Sequence, residues 1–353
     1  MNIDETLLWL CSVASPIGEE KELCDAVVAR LSGAKLAGPI RRVLNSIVVP
    51  VVRKGGGRPH VGIVGHLDTV RTENGPARIE GDRCFGSGAS DMKSGLAVML
   101  DLVERPLEDL KCDLTLAFYS KEEGNFDEDE LGPVLDEVEE MRNISFAVAM
   151  EPSDNKIHLG CMGSIHATIT FVGRTGHSAR PWEADNAIMK AAPFLAELAA
   201  LTPDQVILDG QPYRGVYTVT RASDGGRGRN VVPDRFSLNL NHRFTPNRTG
   251  EEAKQSILDL VAGRAEVEFT DVSPPAMPHA SHPYVQKLLD AGAKGAFPKQ
   301  AWTDVARFAA LGIPAINFGP GENAQAHQKN ESTSLTLLRE GAEITRRWLL
   351  SLG

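Results

Sequence analysis

The chain has 353 residues, of which 42% are hydrophobic and 24% charged, with a formal net charge of −10. This is the composition of a folded globular protein of about two domains, and it excludes a disulfide-stapled miniprotein, a collagen-like repeat and a disordered chain. The acidic balance argues against a general nucleic-acid binder, which needs a basic face for phosphates.

Taken in chain order, helical periodicity predicts helices over Ile3–Val13 and Glu19–Leu31. Short runs rich in Val and Ile predict strands over Asn45–Val52 and Val61–Gly65, followed by a helix over Ser94–Val103 and strands over Cys112–Tyr119 and Phe146–Met150. Such alternation points to α/β packing around a largely buried sheet. The acidic segment Phe126–Glu140 reads as a solvated loop and helix face. From Ile165 the pattern changes. Ile165–Val172, Val216–Arg221, Arg235–His242 and Ala265–Phe269 alternate like half-exposed strands, with helices over Asn186–Leu201 and Gly250–Ala262. That strand-helix-strand-strand-helix-strand order predicts a compact α+β insert of ferredoxin-like type. After the Pro-rich stretch Ser273–Pro278, a strand over Gly312–Phe318 and a helix over Leu335–Leu350 resume the first pattern. The expected organisation is a domain of residues 1–163 and 274–353 interrupted by a smaller one of residues 164–273.

Stretches without charge, such as Val43–Val52, fall well short of the ~20 apolar residues of a membrane helix, and the acidic start Met1–Thr6 does not read as a secretory leader. Cys11, Cys24, Cys84, Cys112 and Cys161 are scattered and include no Cys-x-x-Cys pair. They read as reduced, buried residues of a cytoplasmic protein and argue against a thiolate zinc site.

Three strand-like runs end in candidate metal ligands. Val61–Gly65 leads into His66-Leu-Asp68, Leu114–Tyr119 into Glu122-Glu123, and Phe146–Met150 into Glu151. Functional groups in open α/β sheets cluster beyond the carboxyl ends of strands. Gly86–Gly95 adds Asp91 at the start of a helix, and His327 follows the turn Gly319–Asn323. Two histidines and three carboxylates without a thiolate suit a pair of zinc or cobalt ions, or manganese with less preference for imidazole. One carboxylate can bridge the two ions. Asp68, on the same side of the extended chain as His66, is expected to accept a hydrogen bond from the second imidazole nitrogen. One glutamate of the Glu122-Glu123 pair remains free to act as a general base. Gly225–Arg229 lacks the Lys-Ser/Thr of a phosphate-binding loop, and no Gly-x-Ser-x-Gly elbow of a serine hydrolase is present.

On these motifs, in this order, the sequence resembles the di-zinc amidohydrolases of the aminoacylase, acetylornithine deacetylase, succinyl-diaminopimelate desuccinylase and carboxypeptidase family. The resemblance implies His66, Asp91 and Glu151 on one ion and Asp91, Glu123 and His327 on the other, with Asp91 bridging and Glu122 as catalytic base. It implies Asp68 as the partner of His66, and a cis bond after Asp91. Gly173–Ala179 resembles the family's histidine motif, so His177 is expected to stabilise the oxyanion in the partner subunit of a homodimer formed through the insert. Asn230-Val-Val-Pro233, Arg243 and Asn323 resemble substrate-contacting positions. Arg180, Arg229 and Arg307 are further candidates for binding substrate carboxylates. Trp302–Phe308, Gly160–Gly163 and His177–Trp182 look most like the desuccinylase branch, so the expected substrate is N-succinyl-LL-2,6-diaminopimelate. A deacetylase of acetylornithine or acetyl-lysine and a dipeptidase share the chemistry, and a silent metal-binding dimer is the reading of a different class. Lys121 stands where many members carry Asp.

Overall fold

The computed structural model describes residues 1–225 and 228–353, so Gly226 and Arg227 of the Gly-rich stretch lie outside the described residues. The chain forms two compact units. The first comprises residues 1–160, 278–298 and 303–353, and the second residues 161–277 and 299–302.

The first unit is built on an eight-stranded mixed sheet. Its order is Arg41–Val43, Ser46–Val52, Asp113–Tyr119, His60–His66, Phe146–Ala149, Ala315–Asn317, Ile157–Leu159 and Ala296–Pro298. The strands Asp113–Tyr119, His60–His66, Phe146–Ala149 and Ala315–Asn317 run parallel to one another. Asp113–Tyr119 is buried at every position, as a strand covered on both faces must be. The helix Lys93–Glu104 is buried from Lys93 through Val103, and its apolar residues surround it almost completely. Burying each Leu or Val there contributes roughly 1.5–3 kcal/mol. Its first turn reaches the sheet only because residue 95 is glycine, since a Cβ there would lie 2.5 Å from the carbonyl oxygen of Met150. The helix Ile3–Ser12 starts in a capping box between Asn2 and Glu5, and Ser334 caps the helix Leu335–Ser351.

The second unit is an antiparallel sheet in the order Asp204–Leu208, Gln211–Ser223, Arg235–Phe244, Gly163–Val172 and Glu266–Ser273. The helices Ala187–Ala200 and Gly250–Val261 cover it through Ala191, Phe194, Ala253 and Ile257, which pack with Ile169, Phe171, Leu238 and Leu240. Four of the strands and both helices follow the ferredoxin-like order expected from the alternation. The fifth strand, Asp204–Leu208, was not foreseen. It returns through the two-residue turn Asp209-Gly210, where both φ angles are positive (45° and 77°), as such hairpins require. No helix among the described residues is long and apolar enough to cross a membrane.

The acidic segment departs from its expected solvated character. It forms a short 3-10 turn at Phe126–Glu128 and helices at Leu131–Glu137 and Glu139–Arg142, and Asp129 and Glu130 are buried. Burial of these carboxylates is compensated by directed hydrogen bonds. Glu130 accepts from the Asn45 amide and the Ser46 hydroxyl, and Asp129 accepts from the Leu131 amide and from Arg307.

Candidate metal centre

Each candidate ligand of the first unit is delivered by a strand end or a helix start. His66 closes the strand His60–His66 and is fully buried. It sits in register with Tyr119 of the neighbouring parallel strand, after which the chain turns through Lys121, at φ 67°, into Glu122 and Glu123. Glu151 follows the strand Phe146–Ala149 and is buried. Asp91 ends the loop before the helix Lys93–Glu104, and the Asp91–Met92 peptide is cis. His327 follows the strand Ala315–Asn317 and a 3-10 turn at Asn323–Gln325.

His66, Glu123 and His327 converge on Asp91. Its Oδ1 lies 3.3 Å from His66 Nε2, and its Oδ2 lies 3.4 Å from His327 Nε2. His327 Nε2 is also 3.0 Å from Glu123 Oε1. Ligand atoms of His66, Asp91 and Glu123 all fall within 4.8 Å of one another. One carboxylate thus turns each of its oxygens to a different imidazole, which is the disposition of a bridging ligand.

The charges of the site are unbalanced. Burial raises the Glu122 carboxyl well above the ordinary range, and the nearby Glu151 carboxylate adds to this. Burial also raises Glu123, against the pull of its hydrogen bond with His327. Burial opposes protonation of His66, yet the Asp91, Asp68 and Glu122 carboxylates outweigh it and hold the imidazole pKa well above its usual value. Hydrogen bonds to Asp91 and Glu123 push His327 up to about 10. The carboxylates therefore draw positive charge onto both rings. Imidazole nitrogen and carboxylate oxygen in this excess are donors that fit zinc or cobalt, and no cysteine joins them.

Asp68 makes a different contact from the one expected. His66 Nδ1 is 3.0 Å from the main-chain oxygen of Asp68 and 3.6 Å from its carboxylate. The carboxylate instead accepts the backbone N–H groups of Glu122 at 3.1 Å and Glu123 at 2.9 Å. Two charge-assisted bonds to part-buried amides outweigh one bond to a ring that a carbonyl already satisfies.

Arg307 is not a free carboxylate-binding group. Its guanidinium is largely buried, stacks over the Phe126 ring at 4.0 Å, and bonds to Asp304 at 2.8 Å and Asp129 at 3.3 Å. Asp304 in turn accepts the Tyr119 hydroxyl at 2.6 Å. Asn323 is exposed at the start of its 3-10 turn. Within the second unit, the pairing of Gly176-His177 with Val231-Val232 brings His177 beside Asn230, whose carbonyl accepts the Ser178 amide. His177 is exposed and its Nδ1 accepts the Ala179 amide. Arg243 is half-buried and donates to Asn241 at 3.1 Å, while Arg180 and Arg229 are exposed.

Residues 62–351 match Peptidase family M20/M25/M40. The chain belongs to this family. As an M20 member it is a hydrolase of metallopeptidase type. DapE of Mycobacterium tuberculosis (strain ATCC 25618 / H37Rv) is 36% identical over 342 residues, 96% of each chain. The succinyl-diaminopimelate desuccinylase of Corynebacterium glutamicum is 35% identical over 349 residues, 96% of this chain and 94% of that one. In fold, the M20 family metallo-carboxypeptidase Sso-CP2 from Sulfolobus solfataricus superposes with a TM-score of 0.79 at 16% identity, covering 99% of both chains.

One residue beside the centre escaped sequence reading. Glu331 is buried with its carboxylate on the loop that carries Asp91. Its donors lie some 240 positions earlier in the chain, so no local pattern marks it.

Proposed function

We propose that this M20 protein is a cytoplasmic succinyl-diaminopimelate desuccinylase, which hydrolyses N-succinyl-LL-2,6-diaminopimelate to succinate and LL-2,6-diaminopimelate. The observation that carries this reading is the identity with the Corynebacterium glutamicum enzyme across 96% of the chain. The donor set around Asp91 supports the chemistry.

Two Zn(2+) ions are the expected occupants, with Co(2+) or Mn(2+) as substitutes. His66, Asp91 and Glu151 would hold one, and Asp91, Glu123 and His327 the other. Bound there, they would lower the pKa of a water and polarise the acyl carbonyl. Glu122 takes the proton from the attacking water as its oxygen adds to the amide carbon, and returns it to the amine nitrogen as the C–N bond breaks. Asp68 fixes the two amides beneath this base. Arg243 and Asn230 recognise substrate carboxylates, and Asn323 contacts the substrate. The second unit serves as lid and dimerisation domain, from which His177 of the partner subunit donates to the oxyanion.

The test is kcat/KM of the zinc-loaded protein on N-succinyl-LL-2,6-diaminopimelate against N-acetylornithine. A preference of ~100-fold for the succinyl substrate, about 2.7 kcal/mol of discrimination, is expected. Preference for the acetyl substrate overturns the desuccinylase assignment while keeping the chemistry. Turnover of neither overturns both.

A further inference from the structure

The Glu331 carboxylate accepts three main-chain N–H groups from one loop. Its Oε2 takes the Gly88 amide at 2.8 Å, and its Oε1 takes the Ser90 and Asp91 amides, each at 2.8 Å. Successive amides turned inward around a tight loop make an anion-binding concavity. Here a side chain of the same protein fills it. Without Glu331 these buried N–H groups would lack acceptors, which is costly away from water.

The loop has no slack elsewhere. Gly88 has φ 75°, and a Cβ there would lie 2.6 Å from the Thr69 side chain. The Lys93 amide closes the far end on the Gly88 carbonyl at 2.7 Å. Glu331 is itself anchored through its main chain. Its amide donates to Asn74 Oδ1 at 2.8 Å, and its carbonyl accepts the Gly86 amide at 3.1 Å.

The same short segment, His327–Glu331, therefore meets Asp91 twice. The His327 imidazole faces the Asp91 carboxylate, and the Glu331 carboxylate holds the Asp91 amide. We infer that Glu331 is a positioning residue of the M20 reaction, which clamps the main chain of Asp91 and so sets the spacing between the bridging carboxylate and His327. It touches neither substrate nor metal. The inference rests on the reading of Asp91 as a shared metal ligand.

The experiment compares wild type, E331Q, N74A and D91N, titrating the metal-free proteins with Zn(2+) and Co(2+) calorimetrically. Visible absorption of the Co(2+) forms and steady-state kinetics accompany the titrations. In E331Q one acceptor becomes an NH2 group facing an amide, so the clamp opens while size is kept. Expected for E331Q are a 10–100-fold weaker metal affinity, an altered Co(2+) spectrum and a 10–100-fold lower kcat, with KM changed less than about 3-fold. N74A, which removes the acceptor of the Glu331 amide together with a bond to the Thr72 hydroxyl, should shift the same readouts in the same direction by a smaller factor. It covers the case in which E331Q fails to fold. Unchanged metal affinity and spectrum in folded E331Q, or in N74A if E331Q does not fold, overturn the role of Glu331. If wild type binds no metal, or D91N binds it as wild type does, the metal-centre reading itself fails and the inference with it.

Discussion

The Asp68 carboxylate holds the backbone of Glu122, the residue assigned as base. Its two oxygens take the amides of Glu122 and Glu123, while its main-chain oxygen faces His66 Nδ1. One residue thus supports a metal ligand through its backbone and the base through its side chain. D68N keeps the first contact and spoils the second. We expect kcat to fall ~10–100-fold while zinc affinity changes less than about 3-fold. Equal losses in both quantities would show that the carboxylate serves His66 after all.

Glu122 itself lies outside the group of ligand atoms clustered around Asp91. E122Q should retain bound zinc and the fold and lose ~10²–10⁴-fold in kcat, the range of general acid–base catalysis. Metal content of the purified variant and its turnover check this together. Near-normal turnover would remove Glu122 from the mechanism.

Of the two candidate imidazole ligands His327 is the more exposed, with 54% of its side chain accessible against none for His66. The ion it helps hold should therefore leave first. Under increasing chelator, the protein should lose one equivalent of zinc before the other, and H327A should retain about one equivalent and little activity. Simultaneous loss of both equivalents in wild type would contradict this ordering.

Arg307 lies among two buried carboxylates and the Tyr119 hydroxyl bound to one of them. Removing its charge strands Asp304 and Asp129. R307M should lose about 3–5 kcal/mol of stability, read by urea unfolding, with KM unaltered in the folded fraction. A large KM effect at full stability would restore Arg307 as a substrate contact.

His242 gives the second unit a dependence on pH. The ring stacks on Tyr217 with centroids 3.9 Å apart and donates through Nδ1 to the Val216 carbonyl, while its buried Nε2 has no partner among the described residues. Burial, aided by the charge of Arg248, pushes its pKa down to about 4. Unfolding returns the ring to its usual value near 6.5. Between those values the unfolded chain binds the proton and the folded one does not. The stabilisation is therefore complete above about pH 6.5, declines as pH falls toward 4, and is lost below it. The full loss is about 3 kcal/mol. Urea unfolding of wild type and H242F across this range should show the slope in the first and its reduction in the second.

Much of this was legible because strong local patterns coincided with the sheet. The runs ending at His66, Tyr119 and Ala149 are apolar enough to be read as buried strands, and their ends deliver ligands together. The three-residue strands Arg41–Val43, Ile157–Leu159 and Ala296–Pro298 are too short to carry a period. The hairpin at Asp209-Gly210 carries a local signal, an Asp-Gly pair suited to positive φ at both turn positions. The buried state of Asp129 and Glu130 had no such signal, because Arg307 and Ser46 lie far away in sequence. The clamp of Glu331 was hidden for the same reason, since backbone amides carry no side-chain identity to read.

The strand Ala315–Asn317 lies inside the first sheet, between Phe146–Ala149 and Ile157–Leu159, yet the entire second unit precedes it in the chain. During synthesis the ribosome releases Glu151 and then all of the second unit before this strand and His327 emerge. Until then the strand Phe146–Ala149 has an unpaired edge, and the metal centre lacks a ligand. A nascent chain arrested after Trp302 can complete the second unit but not the first, so metal capture is deferred until after the inserted unit has been made.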